Sequence, residues 1–141
     1  MTSLSFPDIN VWLALVTDHV HHGPARQWWA TDESDVIAFS RFTQIGLLRL
    51  LTSAAIMGDK PLSMNGAWAV YDRLLEDERV ALVDELNTVE KPFREYSSAR
   101  RASPKLWADA YLLALSQELG ATLVTFDRQL ARRGSHSRLL A

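Results

Sequence analysis

The sequence predicts an α/β protein, a three-layer α/β/α sandwich around a central, mostly parallel sheet. Three observations carry this. Short apolar runs of strand length, Val36-Ile37-Ala38-Phe39 and Ala121-Thr122-Leu123-Val124-Thr125, alternate with longer segments whose apolar residues recur at helical spacing. Strands alternating with helices imply a parallel sheet covered on both faces. Two aspartates, Asp8 and Asp127, fall where strand-like runs end, which in such a sheet is the functional edge.

The elements follow in order. Ser3 to Pro7 reads as a short strand, and Asp8 caps a helix from Ile9 to Thr17 with Val11, Trp12, Leu15 and Val16 on its apolar positions. Asp18 to Gly23 is a connection, and Pro24 suits the first turn of a helix running through Trp28 and Trp29 to Ala30. After the strand at 36–39, Ser40 caps a third helix that should direct Phe42, Ile45, Leu48 and Leu51 towards the core. Met57-Gly58-Asp59-Lys60-Pro61 is a turn. Ser63 or Asn65 starts a fourth helix through Trp68, Tyr71 and Leu75, and Arg79 to Val83 is a strand. Thr88 to Ser97 reads as helical. Ser103-Pro104 opens a helix that Gly120 closes, and that helix carries Asp109 among Trp107, Ala108, Ala110, Leu112 and Leu113. A strand from Ala121 to Thr125, a short helix after Asp127 and a weak edge strand at 137–140 complete the chain.

At 141 residues the chain is expected to be one domain with a sizeable core. No run approaches the roughly 20 apolar residues of a membrane span, and the N-terminus lacks the basic start and apolar stretch of a signal peptide. The absence of cysteine excludes a disulfide framework, a thiolate zinc site and a cysteine nucleophile. A soluble, cytoplasmic protein is the expectation. The net charge of −2 hides an asymmetry. Residues 1–89 hold 6 Lys/Arg against 12 Asp/Glu, whereas residues 90–141 hold 9 against 5. The basic excess flanks Asp109 and Asp127 and would draw a polyanion there; a solvated helix surface is the plainer reading.

Asp8, Asp109 and Asp127 are the candidate functional residues. Carboxylates held close repel one another and raise each other's pKa, so such a cluster calls for a cation, and hard carboxylate oxygens favour Mg²⁺ or Mn²⁺. Asp8 and Asp127 also suit helix N-caps, a role compatible with metal binding because one oxygen can cap while the other binds. Asp109 is harder to assign to structure alone, since a buried unpaired carboxylate is costly, although an exposed polar stripe would accommodate it. Asn10 can orient Asp8 or hold water. Thr125 shares the strand side of Asp127 two residues on. The histidines at 19, 21 and 22 form a weak metal motif. The five tryptophans sit mostly at helix-core spacing rather than as base-stacking platforms. Arg128, Arg132 and Arg133 read as surface residues placed to meet phosphates. No P-loop, dinucleotide fingerprint or serine-nucleophile elbow is present.

The run Phe6-Pro7-Asp8-Ile9-Asn10-Val11-Trp12-Leu13 resembles the opening Asp-x-Asn motif of PIN domains. Asp109-Ala110-Tyr111-Leu112-Leu113-Ala114-Leu115, followed by Gly120 to Arg128, resembles their C-terminal signature. Length and element order fit a single PIN domain over residues 1–141, most similar to the VapC-type toxins of VapBC toxin–antitoxin modules. The resemblance implies a Mg²⁺- or Mn²⁺-dependent endoribonuclease that cleaves tRNA or ribosomal RNA and so inhibits translation. It implies Asp8, Asp109 and Asp127 as metal-binding acids, with Asn10 and Thr125 as supporting residues. The family's additional glutamate is absent, and Gln44 is its counterpart, as in a subgroup that also carries Gly46-Leu47-Leu48-Arg49-Leu50-Leu51-Thr52. A homodimer and a cognate VapB antitoxin are implied partners. RNA phosphates should meet the basic C-terminal third, Arg100, Arg101, Lys105, Arg128 and Arg132 among it. Two rivals remain: a catalytically weak PIN domain acting as a binding module, and a Mg²⁺-dependent receiver or phosphoryl-transfer α/β domain, for which Lys60, Lys91 and Lys105 are poorly placed.

Overall fold

A computed structural model describes residues 2–140. Its five strands are β1 (Leu4–Pro7), β2 (Val36–Phe39), β3 (Val80–Leu82), β4 (Thr122–Thr125) and β5 (Ser137–Leu139). They form one sheet in the order β3-β2-β1-β4-β5, and all four pairings are parallel. The helices are α1 (Ile9–Val16), α2 (His22–Thr31), α3 (Arg41–Leu51), α4 (Met64–Leu74), α5 (Glu90–Tyr96), α6 (Leu106–Leu119) and α7 (Arg128–Arg133), with a 3-10 turn at Asn87–Val89 leading into α5.

The strands build two cores because successive side chains point to opposite faces. Ile37, Phe39 and Val124 join α1–α4 in one cluster, whereas Ala38, Leu123 and Phe6 join Leu112–Leu115 of α6 and Leu130 of α7 in the other. The sheet is therefore sandwiched, as expected. Trp12 stacks on Phe39 with ring centroids 3.8 Å apart, which fastens α1 to β2. Helix α1 also lies close against α3, where a Cβ on Gly46 would collide with the Ile9 side chain. Glycine at that position sets the spacing of the two helices.

Several expectations shift. Helix α2 begins at His22, inside the stretch read as a connection, while Pro24 lies in its first turn as expected, where its missing N–H needs no helical partner. Ser103-Pro104 forms a turn rather than the start of α6, and Leu106 N–H donates to the Ser103 carbonyl at 3.0 Å. Leu51 is buried as expected, but Phe42 and Ile45 are exposed, and α3 buries Thr43, Gln44 and Leu47 beside it. The polar members of that face are satisfied in place: Ser40 and Thr43 bond reciprocally, and Gln44 accepts from Arg41. Trp12 and Trp28 are core residues, but Trp68 and Trp107 are exposed. Among the described residues no helix is long and apolar enough to cross a membrane.

Candidate functional site

The central pairing of β1 with β4 brings the two ends of the chain together. Pro7 is in register with Val124, and the Asp8 N–H donates to the Val124 carbonyl at 2.9 Å. Asp8 then caps α1, its Oδ1 accepting from the Asn10 and Val11 amides at 3.0 and 3.2 Å. Its Oδ2 accepts from Thr125 Oγ1 at 2.5 Å. The Thr125 hydroxyl in turn accepts from the Asp127 N–H at 3.0 Å. One hydroxyl thus links the two strand-end aspartates.

Asp127 caps α7 through Oδ1, which accepts from the Gln129 and Leu130 amides at 2.9 and 3.1 Å. It is exposed, whereas Asp8 is 6% exposed. Asp109 stands half-buried in the first turn of α6, where the positive end of the helix dipole favours an acid. Both functions anticipated for the strand-end acids therefore start from observed caps, and each leaves oxygen lone pairs over.

The electrostatics tie the three together. Burial pushes the Asp8 carboxyl above its ordinary value, and the nearby Asp127 charge adds to that; the bonds from Thr125 and two backbone amides oppose it. Burial also raises Asp109, again with Asp127 adding to it, against Lys105 and Arg133. The Asp127 charge thus acts on both other acids, and Lys105 and Arg133 act on Asp109. Among the described residues no three His, Asp or Glu side chains close into a ready cation cage. Donor type and charge nonetheless suit a hard divalent cation: the oxygens are carboxylates, and no basic side chain offsets Asp8.

The supporting residues fall in different places. Asn10 orients Asp8 through its backbone N–H, while its side chain lies at the surface. Gln44 is buried, and its Oε1 accepts from Arg41 Nη1 at 2.7 Å. Arg100, Arg101, Lys105, Arg128 and Arg132 are all exposed, and of these Lys105 acts on Asp109. Two basic residues matter more than the sequence suggested. Arg133 acts on Asp109 while its guanidinium donates to the Tyr96 carbonyl at 2.7 Å. Arg41 clasps Gln44, and its i,i+3 spacing was the available signal. A cleft of about 580 Å³ is lined by residues including Thr17, His19, His22, Met57 and Lys60 and by none of the three aspartates.

An acid cluster at the carboxyl edge of a parallel sheet, with a further acid on the helix preceding β4, is the arrangement that the resemblance to PIN domains implies. The PIN domain family profile matches residues 5–135. The chain belongs to that family, among its VapC-type ribonucleases. It is 40% identical over 141 aligned residues to ribonuclease VapC41 of Mycobacterium tuberculosis, covering 95% of this chain and 97% of that one. It is 30% identical to ribonuclease VapC44 of the same organism, over 88% of this chain and 86% of that one. The crystal structure of M. tuberculosis VapC20, described as a Sarcin-Ricin loop cleaving toxin, shares the fold with a TM-score of 0.68 at 21% identity, over 94% and 95% of the two chains. Membership sets aside the receiver-type reading.

Proposed function

We propose that the chain is a single PIN domain over residues 1–141 that acts as the toxin of a type II toxin–antitoxin pair, an endoribonuclease cutting tRNA or ribosomal RNA in the cytoplasm. The observation that carries this is the Asp8–Thr125–Asp127 linkage with Asp109 opposite, in a chain belonging to the VapC-type ribonucleases. Asp8, Asp109 and Asp127 would hold Mg²⁺ or Mn²⁺. A cation there supplies Lewis-acid polarisation of the scissile phosphate and eases deprotonation of water.

The chain's own residues do the rest. Thr125 fixes the Asp8 carboxylate, and the Asn10 backbone holds its other oxygen. Gln44 supports the site from α3 through its neutral amide, with Arg41 holding its carbonyl. One water adds to phosphorus as the bond to the 3′ oxygen breaks, leaving a 5′-phosphate and a 3′-hydroxyl. The water's proton passes to a carboxylate of the cluster, and a proton returns to the 3′ oxygen. Arg100, Arg101, Lys105, Arg128 and Arg132 contact flanking phosphates. A homodimer and a VapB-type antitoxin complete the assembly; an antitoxin arginine would complement the acids.

The test is to co-express the chain with its antitoxin, remove the antitoxin and incubate with total cellular RNA in Mg²⁺, Mn²⁺ and EDTA. Discrete cuts that need a divalent cation and are lost in Asp8→Asn are expected. Folded protein that cuts nothing in any arm would replace the nuclease with a binding-only PIN domain.

A further inference from the structure

We propose that the aromatic cleft beside Asp109 takes an unpaired nucleobase of the RNA next to the cleaved phosphate. This rests on the ribonuclease reading above and assigns a substrate subsite to the same site. The cleft, about 380 Å³, is lined by Phe42, Phe93, Pro104, Trp107, Ala108 and Tyr111. Its position follows from two elements that begin near the acids. Ala108 precedes Asp109 in α6, and Phe42 opens α3 immediately after the carboxyl end of β2.

The rings are held but not buried. Phe42 meets Tyr111 edge-on at 5.3 Å, and Phe93 meets both Tyr111 and Trp107 edge-on at 5.9 and 6.3 Å. Trp107 nonetheless remains 61% exposed, in a protein that buries Trp12 and Trp28 almost completely. Phe93 and Trp107 also line a second cleft of about 410 Å³ with Glu90, Arg94, Ser97 and Ser98. The indole therefore divides an apolar slot from a polar one, in which Glu90 holds the Arg94 guanidinium at 3.1 Å.

An exposed indole beside an apolar slot suits a nucleobase. Every base has a π-face, stacking on an aromatic side chain is tolerant of sequence, and RNA loops splay out bases for such contacts. Two cations stand nearby: Lys105 adjoins Pro104 of the slot, and Arg133 donates to the Tyr96 carbonyl of α5, and both also act on Asp109, so a ribose-phosphate between slot and acids would meet positive charge. The apolar slot is short and lined from three separate segments, which fits one ring system better than the long stripe of an amphipathic helix.

The experiment compares wild type, Trp107→Ala and Trp107→Phe, each checked for fold by circular dichroism and for mass by light scattering. The probe is a fluorescein-labelled single-stranded oligoribonucleotide of mixed sequence, titrated by anisotropy in EDTA so that cleavage plays no part. Trp107→Ala should bind roughly 5- to 100-fold more weakly, and Trp107→Phe should recover most of the loss. In parallel, cleavage by Trp107→Ala should show raised KM with kcat less affected. Equal affinities for wild type and Trp107→Ala, or no binding by either, overturn the subsite. So does a Trp107→Ala chain that changes its oligomeric mass or antitoxin affinity while binding RNA normally, since the cleft is then a protein interface. Loss of cleavage by wild type in every metal arm would bring down the nuclease reading separately, because the anisotropy does not depend on catalysis.

Discussion

Asp8 and Asp109 carry the same carboxyl group in opposite settings. At the β1–β4 seam Asp8 is sealed from solvent and receives three hydrogen bonds. On the α6 rim Asp109 is half-buried and is shaped by charges rather than by bonds. One acid is built into the fold, and the other is placed on it. Substitutions at the two should therefore part company in stability even where they agree in activity.

The largest effect expected is on cleavage. Asp109→Asn should lower it at least about a hundredfold without lowering the melting temperature, because charge for the cation is lost while a carboxylate disfavoured by burial and by Asp127 is neutralised. Asp8→Ala should lose cleavage as fully and also about 1–3 kcal/mol of stability, since a helix cap goes and the Thr125 hydroxyl is stranded. Denaturant melts beside an RNA cleavage assay would show it; equal destabilisation at both positions would break the contrast. Gly46→Ala should cost about 1–3 kcal/mol through the collision with Ile9, and Ile9→Val should restore part of it. A neutral Gly46→Ala would mean that α1 and the seam it leads from tolerate movement.

The third test uses pH. The folded carboxyls of Asp8 and Asp109 lie above the ordinary value of 3.8, so the folded state holds these protons more tightly than the unfolded chain. The resulting stability is fully present below that value and is lost as pH rises through the raised folded values. A divalent cation binds the deprotonated form. Thermal melts in Mn²⁺ against EDTA should differ little near pH 4 and by about a few degrees near pH 7.5. The same shift at both pH values would remove these carboxylates as its source. The smallest effect concerns Gln44. Gln44→Glu should change cleavage at limiting Mn²⁺ by less than about tenfold, because Arg41 would pair with the new carboxylate. Adding Arg41→Ala should enlarge the gain; no difference between the single and double variants would show that Arg41 does not restrain position 44.

The seam was legible in the sequence, and the rim was less so. A β-branched run ending in an aspartate, and an aspartate before an apolar helix, are local patterns that caps and strands explain directly, so Asp8, Thr125 and Asp127 fall where expected. The buried face of α3 was not legible, because it takes in Thr43 and Gln44, polar residues satisfied by Ser40 and Arg41, while apolar Phe42 and Ile45 stay exposed. The exposure of Trp107 escaped for a similar reason. Its position looks like core by composition, but α6 starts after the 103–105 turn and presents that residue outward. Arg133 required tertiary contact, since its neighbours Tyr96 and Asp109 lie on other helices.

The Asp8–Thr125 bond spans 117 positions of chain. Asp8 therefore leaves the ribosome well before Thr125, so no nascent fragment ending before β4 holds the linked pair. The ribonuclease proposed here would stay unarmed until β4 has emerged and docked beside β1.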